Sequence, residues 1–167
     1  MRKIYVMSST TSSIDFYESY HSHPVNKLIH FFCIPLIVFS TNELLKEFYI
    51  SHEYLLMYKK QPYFHIFQRK FYITWMMHQV YCIYYFMNYG MYPGLLMTGY
   101  FTVIRYLSLT LNIRKTTALK LFSVSWIMQF IGHYIEGNRP ALLDGLTQTF
   151  LEAPLYSFQY LWPNLLK

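Results

Sequence analysis

Charge is scarce in this chain: Asp, Glu, Lys and Arg make up 13% of its 167 residues, about half the share of an ordinary soluble domain. Hydrophobic residues make up 54%, so lipid is the expected solvent for much of the molecule. Cysteine is rarer still. Cys33 and Cys82 each lie inside an apolar segment, supply neither a disulfide framework nor CxxC metal spacing, and read as two buried free thiols. No Gly, Pro or Ser-rich linker divides the chain, which leaves 1–167 as a single membrane domain. The basic surplus of +6 is scattered, with no stripe of Lys and Arg interleaved with exposed aromatics, so no nucleic-acid partner is expected. The N-terminal MRKIYVMSSTTSSIDF has no acid before Asp15 and lacks the apolar core of a secretory signal. It is compatible with a weak mitochondrial presequence and reads more simply as a disordered tail over residues 1–19.

What the chain has in abundance is aromatic residues, 18 Tyr and 14 Phe among them. Tyrosines depress the mean hydropathy to +0.17, although their rings sit well at membrane interfaces. Four apolar segments stand out: Pro24 to Ser40, Phe71 to Tyr89, Met91 to Ile113 and Ala118 to Ile135. Three have the roughly 17 to 25 residues that a span needs, and the first is at the short edge. The expectation is an all-α integral membrane helical bundle of about four transmembrane helices plus interfacial helices, with three spans and one half-buried helix as the fallback. Pro24 suits a first helical turn, Pro35 predicts a kink, and a short turn falls around Gly90, Pro93 and Gly94. Residues 41–70 read as a polar loop in which Ser40 and Glu43 form a capping box that opens an amphipathic surface helix. The tail over 146–167, interrupted by Pro154 and Pro163, reads as interfacial.

Ionisable and polar side chains inside such segments face a bundle interior or a cavity, and are functional candidates. In YHSHPVNKLIH, Asn26 and His30 share one helix face and His21 is free to fold back toward it. In the fourth segment Gln129, His133 and Glu136 follow the i, i+4, i+7 rule and form a polar stripe on an apolar helix. With an even number of spans, the start of the first and the end of the fourth emerge on the same membrane face, so His21 and His30 can meet His133 and Glu136. Imidazoles with a carboxylate suit a non-haem iron(II) oxygenase, and zinc accepts a similar set. His52, His65 and His78 read as structural, and Arg105 is expected to snorkel or to pair with a buried acid.

DFYESYHSHPVNKLIHFFCIPLIVFS and WIMQFIGHYIEGNRPALLDGLTQTFLEAP resemble the two signature regions of the family of small endoplasmic-reticulum membrane proteins that act as 2-hydroxy-fatty-acid dioxygenases. The first signature is carried by Tyr20, His21, Pro24, Asn26, His30 and Pro35. The second is carried by Trp126, Gln129, Gly132, His133, Glu136, Pro140, Ala141, Leu142, Asp144 and Pro154. Together they cover about a third of the chain, one block at each end of the membrane core. The resemblance implies an Fe(II)-dependent, non-haem enzyme of the endoplasmic-reticulum membrane that uses O2 to shorten a long-chain 2-hydroxy fatty acid by one carbon, a step of phytosphingosine breakdown. It also implies that His21, His30 and His133 hold the iron, with Glu136 beside them. Asn26 and Gln129 would orient the ligands, and Arg139 would hold the substrate carboxylate.

Three features depart from the family pattern. The chain has His21, Ser22, His23 where two adjacent histidines and an Asn are common before the proline. It is one residue shorter between His133 and Pro140, which brings Glu136 to three residues after the histidine and turns it by about 100° on a helix. The loop over 41–70 is longer than usual. These departures motivate an alternative: a non-catalytic accessory or structural subunit of a large membrane complex, in the mitochondrial inner membrane, that keeps the fold.

Overall fold

A computed structural model describes residues 20–50, 71–140, 142 and 145–159. The residues are overwhelmingly helical: α1 (Pro24–Leu45), α2 (Ile73–Tyr89), α3 (Met91–Leu111), α4 (Lys115–Glu136) and α5 (Leu146–Gln159), with one two-residue ladder between β1 (Tyr49–Ile50) and β2 (Phe71–Tyr72). The all-α expectation holds in this form. Two of the helices, α1 and α3, are long and apolar enough to cross a bilayer. The helix α2 has 17 residues, at the lower limit for a span. Large apolar side chains point outward along α1 to α4, among them Phe32, Val80, Ile83, Val103, Leu109 and Ile127. Water would not tolerate so much exposed apolar surface on a monomer.

The chain divides into two compact units, one formed by residues 1–35 with 124–167 and the other by 36–123. The helices α1 and α4 run from one into the other. In the second unit α2 and α3 form a hairpin that turns at Gly90, whose positive φ of 82° suits glycine and whose N–H is donated to the Phe86 carbonyl. The turn is narrower than the sequence implies, because Pro93 and Gly94 already belong to the first turn of α3, where a missing N–H costs nothing. Gly94 lets the helices close up: a Cβ there would lie 2.5 Å from Cδ1 of the Phe86 ring. Tyr81 stacks on Phe101 with ring centroids 4.7 Å apart, and Tyr85 is fully buried beside it.

Ser40 corrects the expected capping box. The helix α1 runs on through Pro35 and Ser40 to Leu45, and the Ser40 hydroxyl donates back to the carbonyls of Leu36 and Ile37 at 2.7 and 3.1 Å. An interior serine bonded to the preceding turn cannot cap a new helix. Glu43 instead pairs with Lys46 at 2.8 Å, and Lys46 reaches the Asn112 side chain at 2.6 Å, where Asn112 in a left-handed conformation closes α3. Past α1 the chain enters β1. The rest of the expected surface helix, with His52 and His65, lies outside the described residues, as do the N-terminal tail 1–19 and residues 160–167 of the C-terminal tail. The described part of that tail is one helix, α5, which continues through Pro154. Among the described residues Arg105 pairs with the Thr74 hydroxyl at 3.0 Å, and neither α2 nor α3 contains an acid. Cys33 and Cys82 are buried free thiols.

The Gly94 contact predicts that Gly94→Val destabilises the protein by about 1 to 3 kcal/mol through overpacking. Thermal unfolding in detergent reads the loss. Combining it with Phe86→Ala should restore part of that loss, since the clash is with that ring.

Candidate metal centre

The first histidine block begins as an irregular stretch and becomes helix at Pro24, so the backbone N–H groups of the residues just before it need partners. His23 supplies one itself: its Nδ1 accepts the Val25 N–H at 3.2 Å, a side-chain cap on its own helix. The other partners come from the far end of the sequence. Glu136, the last residue of α4, accepts hydrogen bonds on Oε1 from the backbone N–H of Ser22, from the Ser22 hydroxyl at 2.9 Å and from the His23 N–H at 2.8 Å. Its Oε2 accepts from the Asn26 amide at 2.5 Å. A carboxylate at the start of α1 is also favoured by the positive end of the helix dipole. Burial works to raise the Glu136 pKa, but the bonds from His23, Ser22 and Asn26 outweigh it and hold the group below its ordinary value. Gly137, at φ 75°, then ends α4.

This strap explains Gly132. The side-chain oxygen Oδ1 of Asn26 lies where a Cβ of residue 132 would stand, so only glycine lets α1 and α4 approach this closely. Asn26 is fully buried, its amide fixed on Glu136.

The helices held in this way bring three buried histidines together. One ligand nitrogen from each of His21, His30 and His133 lies within 4.8 Å of the other two. Nε2 of His21 and Nε2 of His30 are 3.0 Å apart, and the His133 ring centroid is 4.8 and 5.1 Å from theirs. Nδ1 of His30 donates to the Asn26 carbonyl at 2.9 Å, which leaves the Nε2 lone pair turned into the cluster, as in metal-ligating histidines whose other nitrogen is tied to the backbone. Two nitrogen ligands about 2.1 Å from one ion stand about 3 Å apart when they occupy neighbouring positions, so the His21 and His30 spacing fits a shared cation. Nδ1 of His133 is buried with no hydrogen-bond partner among the described residues, and Glu136 Oε2 is 4.0 Å from it. The three buried imidazoles could together hold a metal ion.

The remaining sequence candidates divide. Gln129 is buried one helical turn before His133, and its Nε2 has no hydrogen-bond partner among the described residues. Arg139 stands exposed beyond the end of α4. Ala141 and Asp144 lie outside the described residues. His78 is on α2, where it meets Gln79 and Thr102.

Three contributors escaped the sequence reading. Ser22, noted there as a missing histidine, is the hydroxyl that binds Glu136. Tyr156 of α5 packs its ring 5.0 Å from that of His21 and donates its hydroxyl to the His21 carbonyl at 3.1 Å. Glu152, one turn earlier on α5, is a completely buried acid that the sequence reading did not single out. The i, i+4 spacing of an acid and a tyrosine in LTQTFLEAPLYSFQ was the available signal, hidden by the assumption that Pro154 breaks the segment.

Gly132→Ala is expected to cost about 1 to 3 kcal/mol, because its methyl displaces Asn26, and thermal unfolding measures it. Glu136→Gln should cost a similar amount by weakening charge-assisted bonds to buried groups.

Comparison with known proteins agrees with this geometry. The family described as 2-hydroxy-palmitic acid dioxygenase Mpo1-like matches residues 7–165. The 2-hydroxy-palmitic acid dioxygenase MPO1 of Saccharomyces cerevisiae is 31% identical over 156 residues, which cover 90% of this chain and 79% of the yeast protein. No solved structure matches. With almost its whole length in register with that family and its two histidine blocks folded onto one another, the chain belongs to the Mpo1-like family of 2-hydroxy-palmitic acid dioxygenases.

Proposed function

We propose that this protein is an iron(II)-dependent dioxygenase that shortens long-chain 2-hydroxy fatty acids by one carbon, with His21, His30 and His133 as the metal ligands. The observation that carries this reading is the convergence of three buried imidazoles from two distant parts of the chain. The relative's activity on 2-hydroxy-palmitic acid supports the substrate class. Iron(II) held by these histidines would supply the redox chemistry that activates O2 toward a 2-hydroxy acid.

The chain's own residues do the rest. The Asn26 carbonyl orients His30, and the Tyr156 ring and hydroxyl hold His21 from the opposite side. The Gln129 amide, a buried donor without a described partner, is available to a substrate oxygen near His133. Arg139 supplies the positive charge for a carboxylate arriving from outside. In this reading Glu136 is a positioning residue, since both its oxygens are committed to Ser22, His23 and Asn26. We further infer that α1 to α4 span the endoplasmic-reticulum membrane as a four-helix bundle and that the reaction belongs to phytosphingosine breakdown. The two helices of sufficient length and apolarity, the outward apolar side chains and the family support this.

Protein purified anaerobically with iron(II) should retain about one iron per chain and convert 2-hydroxypalmitic acid, with O2, to the product one carbon shorter. His133→Ala should lose both the iron and, by about a hundredfold or more, the activity, and a chelator should reproduce the loss in the native protein. Full activity in metal-free protein would overturn the reading. Metal-free, inactive protein migrating within a large membrane complex would favour the accessory subunit.

A further inference from the structure

Arg105 has no part in the histidine site. It is the one charged residue of the α2–α3 hairpin, on a helix long and apolar enough to cross a bilayer. A guanidinium has five N–H donors, and among the described residues Arg105 makes a single hydrogen bond, from Nη1 to the Thr74 hydroxyl. Beside it, the His78 ring meets the Gln79 amide at Nδ1, 3.1 Å away, and the Thr102 hydroxyl at Nε2, 3.4 Å away, and it is also hydrogen-bonded to the Thr98 carbonyl. Thr74 and His78 are one turn apart on α2, and Thr102 and Arg105 one turn apart on α3. The guanidinium and the two threonine hydroxyls form a polar notch across the two helices, with a positive charge that the hairpin does not neutralise.

Depth indicates what fills it. Arg105 precedes Leu111, the end of α3, by six residues, about 9 Å along the axis. Thr74 lies in the first turn of α2, at the same end of the hairpin. Tyr72, Trp75 and Tyr106 are exposed at this level, the aromatic signature of the head-group zone. Farther into the hairpin, Val80, Ile83 and Val103 turn outward and offer an apolar surface to an acyl chain. A guanidinium in such a place is stabilised by an oxyanion that it can grip with two parallel hydrogen bonds.

We propose that Arg105, with Thr74 and Thr102, binds the oxyanion head group of an acyl lipid from the surrounding membrane. The head group is a carboxylate or a phosphate ester held by the guanidinium and the threonine hydroxyls, and its chain runs along the outer face of α2 and α3. This site is separate from the histidine centre and does not depend on its metal.

The test uses the full chain in phosphatidylcholine nanodiscs doped with either oleate or phosphatidylglycerol, with retained lipid counted by native mass spectrometry. The native protein should retain the anionic lipid in preference to phosphatidylcholine. Arg105→Gln should weaken that retention by about fivefold, and Arg105→Lys should keep part of it. Loss confined to oleate identifies a carboxylate site, loss confined to phosphatidylglycerol a phosphate site, and loss of both a general oxyanion site. Equal retention by native protein and Arg105→Gln overturns the proposal, as does native protein with no preference for either anionic lipid. If Arg105→Gln does not fold, the doubly substituted Thr74→Val/Thr102→Val protein must show the same loss, and unchanged retention there overturns it. Iron content, which these substitutions should leave unchanged, keeps this outcome distinct from that of the histidine site.

Discussion

The unit that holds the histidines depends on one carboxylate. Glu136, at the C-terminal end of α4, satisfies backbone and side-chain donors of Ser22, His23 and Asn26 at the start of α1. Those donors open a helix that begins with a proline, where no earlier turn can accept their hydrogen bonds. Because the partners are more than a hundred residues apart, the bonds do more than cap a helix: they bring the block containing His21 and His30 against the turn containing His133. The absence of a side chain at Gly132 completes the join, since the side-chain oxygen of Asn26 takes the space that a methyl would need.

The placement of polarity is inverted relative to a water-soluble domain. His21, Asn26, His30, Gln129, His133 and Glu152 are buried, while Phe32, Val80, Ile83, Leu109 and Tyr134 face outward. Burying a polar group is unfavourable unless it finds a partner. Partners are present for Asn26 Nδ2, His30 Nδ1 and Glu136. Among the described residues, Asn26 Oδ1, Gln129 Nε2 and His133 Nδ1 have none, and the last two sit one turn apart on α4.

Helix positions were largely legible in the sequence. The apolar runs beginning at Pro24, Phe71, Met91 and Ala118 reappear as α1 to α4, with ends displaced by a few residues. The displacements have local causes. Ser40 bonds back into its own helix rather than starting another, and the first two residues of the second run pair as β2 with β1. Pro154 did not interrupt α5, because buried Glu152 before it and buried Leu155 and Tyr156 after it hold the helix across one lost backbone bond. The meeting of His21, His30 and His133 followed from the spacing within each block and from counting apolar segments. The three-residue spacing of His133 and Glu136 marked the carboxylate as turned away from a ligand position, but not toward which atoms.

The sequence by itself determined the helical class and the residue types available for chemistry, because these follow from composition and from periodicities spanning a few residues. It also determined family membership, through two blocks and their order. Only the tertiary structure decided the work of Ser22, Glu136 and Tyr156, and that Arg105 meets a threonine rather than an acid. Hydrogen bonds between residues separated by 31 to 135 positions leave no local pattern, since their geometry exists only once the helices have packed.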